Sequence, residues 1–130
     1  MHTILLPRHI CAMNTPEQIA HRWLDAFNRH DLEDLLSLYD DQARHFSPKL
    51  KKSRPETGGF IQGKTQLRNW WADAFLRIPS LQYVAQTITA NEQRVFMEYL
   101  RKADGDEDLM VAEVLDVEHG RIVFSRVYHA

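Results

Sequence analysis

Only one cysteine, Cys11, stands among the 130 residues, so no intramolecular disulfide can form and the fold must be held by its core. A lone thiol fits a reducing compartment, and the cytoplasm is the expected setting. Long apolar runs are lacking too. The N-terminal MHTILLPRHICAM carries three consecutive strong hydrophobes, Ile4 to Leu6, before Pro7 and Arg8, too few for a signal-peptide core or a membrane span. Residues 1–13 are expected to be a flexible lead-in, and Met13 is left open as an alternative start. No excess of either charge exists: 16 Lys+Arg stand against 18 Asp+Glu, a net charge of −2, so neither nucleic acid nor a membrane is an expected partner. The seven histidines show neither HxH nor HExxH spacing, so no metal site and no cofactor are expected. GxSxG, GxGxxG and CxxC are missing and a nucleotide phosphate loop is not expected, which sets aside the usual hydrolase, nucleotide and redox-dithiol readings.

What is present is a 44% hydrophobic chain, enough to give a single domain over 14–130 a real core. Thr15-Pro16-Glu17-Gln18 reads as a capping box with proline in the first turn, opening a helix whose Ile19, Trp23 and Phe27 form one apolar row to about Asn28. Asp31 caps a second, short helix over roughly 31–39, built on Leu32, Leu35, Leu36 and Tyr39. Residues 43–47 look strand-like and stop at Pro48, and 48–62, rich in Lys, Pro and Gly, is expected to be a loop. Leu67, Trp70, Trp71, Ala74, Phe75 and Ile78 then give the clearest helical period in the chain, ended by Pro79. The rest reads as four strands, 81–89, 94–102, 108–117 and 121–129, joined by turns at Asn91-Glu92, Asp104-Gly105-Asp106 and Glu118-His119-Gly120. Helices followed by an antiparallel meander is an α+β order, and a curved sheet over helices leaves a concavity suited to a ligand.

Three blocks, NRHDLEDLLSLYDDQARHFSP, GFIQGKTQLRNWWADAF and VAEVLDVEHGRIVFSRVYH, in that order and at those separations, carry a family likeness over about residues 14–129. The chain resembles the SnoaL-like group of the nuclear transport factor 2-like superfamily. The resemblance implies a cone-shaped α+β roll, three N-terminal helices packed in a strongly curved, mainly antiparallel sheet, forming a homodimer through the outer sheet face with a pocket between helices and sheet. The superfamily holds ketosteroid isomerase, polyketide cyclases, dehydratases and non-catalytic binding domains, so fold alone does not assign the reaction. By the same resemblance, Ser47 falls where the isomerase has its general-base aspartate and Trp23 where it has its oxyanion-donating tyrosine. Neither side chain can do that acid/base work, which argues against steroid-type isomerase chemistry. Glu113 falls near the isomerase's second, hydrogen-bonding aspartate.

Glu113 interrupts the apolar run Leu109-Met110-Val111-Ala112-Val114-Leu115, where a carboxylate needs a reason. Facing the pocket, it becomes a candidate acid, base or hydrogen-bond donor; facing away, it belongs to solvent or to a dimer interface. His45 shares strand parity with Ser47, so both would line the pocket, His45 as the second catalytic candidate or as a merely hydrogen-bonded histidine at a sheet end. Trp23, Trp70, Trp71 and Tyr99 are read as pocket walls as well as core, favouring a small apolar or polycyclic partner molecule. His129 is placed near the mouth, and Arg126 would neutralise an anionic group there if it points inward. The basic run Lys49, Lys51, Lys52 and Arg54 is either a solvated loop or a device that steers an acidic molecule toward the rim. Together these readings describe a small-molecule binder or a cofactor-independent lyase, isomerase or cyclase, with a non-catalytic dimeric binding or scaffold module as the alternative.

Overall fold

The chain, seen in a computed structural model that describes residues 14–129, opens as its sequence predicts. Helix α1 (Pro16–Asn28) starts with a complete capping box: Gln18 N donates to Thr15 Oγ1 at 3.2 Å, and Thr15 N to Gln18 Oε1 at 3.0 Å. Its Ile19, Trp23 and Phe27 row is wholly buried. A turn through His30, held at φ 56°, leads to α2 (Leu32–Ser37), capped by Asp31, whose side chain accepts from Asp34 N at 3.0 Å. The lead-in expected over 1–13 lies outside the described residues.

Two boundaries differ from the sequence reading. Tyr39, placed above at the end of the second helix, is instead the first residue of β1 (Tyr39–Phe46). The stretch 48–62 is not a plain loop: it folds as a short helix α3 (Pro48–Ser53), a 3-10 turn (Pro55–Thr57) and strand β2 (Phe60–Gln62). Ser47 caps α3 by accepting from Lys49 N at 3.2 Å, with proline at the first helical position, a start signal that the Lys/Gly-rich composition hides. Helix α4 (Lys64–Arg77) follows, and the last four strands are β3 (Gln82–Ala90), β4 (Arg94–Lys102), β5 (Leu109–Glu118) and β6 (Arg121–Tyr128).

One sheet of order β2-β1-β6-β5-β4-β3 results, antiparallel throughout except where β1 runs parallel to β6. Register shifts between Ala85 and Thr87 and between Asp116 and Val117 insert bulges, which bend strands and raise local twist; the sheet therefore curls around the helices. His119 and Gly120, both at positive φ, make the two-residue turn that returns β5 into β6. Asn28 fastens α1 to the edge strand β3: its amide donates to Tyr83 O at 2.8 Å and accepts from Tyr83 N at 2.7 Å, covering part of an edge that would otherwise be open. Among the described residues, no helix is long and apolar enough to cross a membrane.

Gly59 tests how tightly α3 packs on β1. A Cβ there would meet Phe46 Cε1 at 2.7 Å and Lys51 Cβ at 3.1 Å, at φ +92°. Gly105, at φ +86° with nothing within 4 Å, faces only the backbone cost. Gly59→Ala is expected to lower stability by roughly 2–3 kcal/mol in urea denaturation, and Gly105→Ala by about 1 kcal/mol. Equal losses would mean that the ring of Phe46 moves aside freely.

Candidate functional site

Strand alternation decides what the concave face presents. On β4, Val95, Met97, Tyr99 and Arg101 are buried while Arg94, Phe96 and Lys102 are exposed, so the first set points toward the helices. Between that face and helices α1 and α4 lies a cavity of about 730 Å³. Its walls include Trp23 and Phe27 from α1, Trp70 and Trp71 from α4, and Tyr83 and Tyr99 from the sheet. Three of these rings form a continuous stack, Phe27 to Tyr83 at 4.0 Å and Tyr83 to Tyr99 at 4.1 Å between centroids. Although the sequence reads the clearest apolar period into α4, only Leu67 and Trp71 are buried on it, and α1 is the more sharply two-faced helix; Trp70, Ala74 and Ile78 face the cavity and remain partly open.

Glu113 sits mid-strand on β5, paired across to Met97 and Val127, 1% exposed, and it lines this cavity. Tyr99 Oη donates to its Oε1 at 2.7 Å, while Oε2 has no hydrogen-bond partner among the described residues. Burial pushes its pKa up from 4.5 to about 8, with the Tyr99 bond opposing only in part. Near neutral pH the group is mostly a carboxylic acid, with one oxygen accepting from tyrosine and one hydroxyl free to donate.

His45 lies at the end of a hydrogen-bonded chain. Trp23 Nε1 donates to Tyr39 Oη at 3.0 Å, Tyr39 Oη donates to Ser125 Oγ at 3.0 Å, and Ser125 Oγ lies 2.6 Å from His45 Nδ1. Indole can only donate, so the tyrosine proton must pass onward to serine. The serine proton then has His45 Nδ1 as its acceptor, which assigns the ring proton to Nε2. Burial drives the His45 pKa down from 6.5 to about 3, so the ring is neutral, with its proton on Nε2, and the side chain lines the cavity.

The remaining sequence-nominated residues divide. Trp23, Ser47, Trp70, Trp71, Tyr99 and His129 line the cavity together with Glu113 and His45. Arg126 does not. Its parity on β6 is opposite to that of Ser125, Val127 and His129, and its guanidinium lies on the outer face, 2.7 Å from Asp116 and 4.8 Å over the Phe124 ring. Counting alternate residues from Ser125 would have found this. Ser47 lines the cavity, but its hydroxyl serves as the cap of α3. Tyr39 and Ser125, the middle of the hydrogen-bonded chain, and Tyr83 and Arg101 on the wall carry no signal in the sequence that marks them as site residues. Only topology brings Tyr39 and Ser125, 86 residues apart, into contact.

The expectation of no nucleotide loop overlooks a pattern. Gly58 to Thr65, GGFIQGKT, satisfies GxxxxGK[ST]. The structure does not fold it as a phosphate cradle: Phe60 to Gln62 pair with β1, Gly63 N donates to Ala43 O at 2.9 Å and Gln62 N to Gln66 Oε1 at 2.8 Å, so these amides are committed. Among the described residues, no three of His, Cys, Asp and Glu converge to hold a metal.

Comparison with known proteins agrees with this geometry. The family model described as SnoaL-like domain matches residues 20–125. A SnoaL-like protein of unknown function from Burkholderia thailandensis is 29% identical, with 88% of this chain and 93% of that one covered and a TM-score of 0.79. A proposed polyketide cyclase from Sinorhizobium meliloti is 15% identical over 85% of this chain and 93% of its own, at a TM-score of 0.72. A protein with a ketosteroid isomerase-like fold from Catenulispora acidiphila, in complex with trimethylamine, is 18% identical over 90% and 88% of the two chains, at 0.70. No curated protein matches the sequence.

The two buried groups set the pH dependence of stability. From 4.5 to about 8 the folded chain keeps a proton on Glu113 that the unfolded chain has released, so stability falls as pH rises through that window. From 6.5 down to about 3 the unfolded chain protonates His45 while the folded chain does not, so stability falls as pH drops. The slopes oppose each other between 4.5 and 6.5. Thermal melts are expected to show a plateau there and a decline from pH 6.5 to 8, and Glu113→Gln to abolish that decline while leaving the acid side in place. An unchanged alkaline decline in the variant would mean that Glu113 is already ionised at neutral pH.

Proposed function

The chain belongs to the SnoaL-like domain family, and from that premise we propose that its cavity binds a small, largely apolar molecule carrying a carbonyl group and transforms it by cofactor-independent acid/base chemistry, as a lyase, isomerase or cyclase. One observation carries the reading: a neutral, fully buried Glu113 on an aromatic-walled cavity, anchored by Tyr99 through one oxygen and, among the described residues, unpartnered at the other. A structural carboxyl group has no need of a site that costs so much desolvation. With its pKa near the working pH, Glu113 can both give up and take back a proton, which suits general acid/base catalysis.

In the proposed step, the ionised fraction of Glu113 removes a proton from carbon next to the carbonyl, and the electron pair moves onto the carbonyl oxygen as an enolate. His45 Nε2–H stabilises that oxygen by hydrogen bonding, in the role its neutral tautomer permits. Glu113, now protonated, returns the proton to another carbon or to a leaving oxygen, so atoms and charge balance. His45 is thus a donor in this scheme, not the base that its residue type first suggests. Steroid-type isomerase placement does not fit, because Ser47 caps α3 and the Trp23 N–H is already committed to Tyr39.

That same commitment favours a second reading. With Trp23, Tyr39, Ser125 and Ser47 satisfied within the protein, the site also suits a non-catalytic binding module. A homodimer built on the outer sheet face and a reducing, cytoplasmic setting belong to the same proposal. The first is supported by Phe96, Met110 and Tyr128, which stand 39–50% exposed on the strands, and the second by the single cysteine.

Glutamine copies the shape and hydrogen-bonding of a protonated glutamate but cannot transfer a proton. In a thermal-shift screen of aromatic and polycyclic ketones and lactones, a true ligand at a hundredfold excess over Kd should add about 2.7 kcal/mol to unfolding. Glu113→Gln is expected to keep that response and to abolish turnover, and Glu113→Leu to lose binding about tenfold or more. Ligand binding with no turnover by the wild type establishes the binding-module reading instead. Sedimentation at micromolar concentration is expected to give a dimer, and a Phe96→Lys/Tyr128→Lys chain a monomer.

A further inference from the structure

The cavity has aromatic walls but gathers cations where its lining reaches solvent: Lys49, Arg54 and Arg77 are exposed lining residues. Four of the residues that line it are Lys49, Arg54, Arg77 and Arg101, against only Asp73 and the mostly neutral Glu113. This concentration is local, since the whole chain carries −2. Arg101 ends the inward row of β4, two residues beyond Tyr99, and is 8% exposed. A buried guanidinium with five N–H donors needs acceptors, yet it reaches one carboxylate, Asp106 Oδ2 at 3.2 Å, on a side chain that is itself 56% exposed. Arg77 is engaged by Asp73 at 2.8 Å, one turn away on α4. Lys49 and Arg54 have no acidic partner within 4 Å among the described residues.

Three of these cations, Lys49, Arg77 and Arg101, lie close enough to act on one another. Desolvation lowers the Lys49 pKa, and the Arg101 and Arg77 charges push it the same way, with Asp106 opposing. An array that repels itself at the rim of an apolar cavity is stabilised when a negative group arrives. The Arg101–Asp106 bond indicates the kind: a carboxylate already bonds one arm of this guanidinium through a single oxygen, held by an exposed surface residue that a ligand group can displace while engaging the second arm as well.

The geometry points to an amphipathic carboxylate as the ligand class, its aromatic or polycyclic body among Trp23, Trp70, Tyr83 and Tyr99 and its carboxylate held at the mouth by Arg101 and Lys49, with Arg54 and Arg77 adding field. This rests on the proposed pocket and narrows what enters it. It also accounts for the short helix α3, because the Ser47 cap and Pro48 set Lys49 at the rim, while Lys51 and Lys52, in the same basic run, are exposed and do not line the cavity.

The test measures binding of 2-naphthoate, 2-naphthamide and 2-naphthyl phosphate by calorimetry at low and high salt. Wild type is expected to bind the carboxylate about 10- to 100-fold tighter than the amide, with the preference shrinking as salt rises. Lys49→Gln and Arg101→Gln should each reduce that ratio toward one without weakening the amide. Arg101→Lys, which keeps the charge but not the fork, should hold an intermediate ratio even if the glutamine variant folds poorly. Lys51→Gln/Lys52→Gln is expected to leave the ratio unchanged, which a diffuse field effect would not. Equal affinity for carboxylate and amide overturns the inference and leaves the apolar pocket standing; no binding of either overturns both. Tighter binding of the phosphate ester overturns the assignment of a carboxylate.

Discussion

The site depends on keeping one carboxyl group neutral. Glu113 is on the central run of β5 with apolar neighbours, and among the described residues its only hydrogen-bond partner is the Tyr99 hydroxyl. An ionised carboxylate there would need several donors, and the described residues supply one, so desolvation prevails and the acid form persists near neutral pH. Tyr99 is itself fixed by stacking on Tyr83, which stacks on Phe27, and Tyr83 is clamped to α1 by the Asn28 amide. The orientation of the acid therefore traces back to the seat of the first helix against the edge strand.

The opposite wall is governed by direction rather than by burial alone. A donor-only tryptophan heads the chain through Tyr39 and Ser125, and each hydroxyl must then donate onward, so the tautomer of His45 is set by a residue on another element. Both groups are thus neutral near neutral pH, though one is an acid with a raised pKa and the other a base with a lowered one. In the proposed reaction such a pair, pushed apart by environment, would hold enolate-like charge with the protein's own side chains.

Legibility in the sequence follows the range of the forces involved. The capping box at Thr15, the Asp31 cap, the α4 period and the His119-Gly120 turn act within a few residues and can be read directly. The helix at Pro48–Ser53 escapes because its composition suggests loop, although Ser47-Pro48 is a local start signal. Arg126 and His129 have opposite parity, so an inward place for both conflicts with the alternation of β6, which allows only one of them. The GGFIQGKT match shows the converse: the spacing of a phosphate loop is present, but pairing of its middle residues to β1 removes the function the spacing would otherwise suggest.

By itself, the sequence determined that helices precede an antiparallel meander, that the chain resembles the SnoaL-like family, and that Glu113 stands where a carboxylate is costly. Local propensity and alternating burial suffice for the first and the last of these, and the order and separation of three blocks for the second. Tertiary structure alone decided which face of β5 that carboxylate takes, which hydroxyls reach His45, and that Lys49 and Arg101, 52 positions apart in sequence, line the same cavity. Those depend on strand order, bulges and the parallel pairing of β1 with β6, long-range contacts that no window of neighbouring residues encodes.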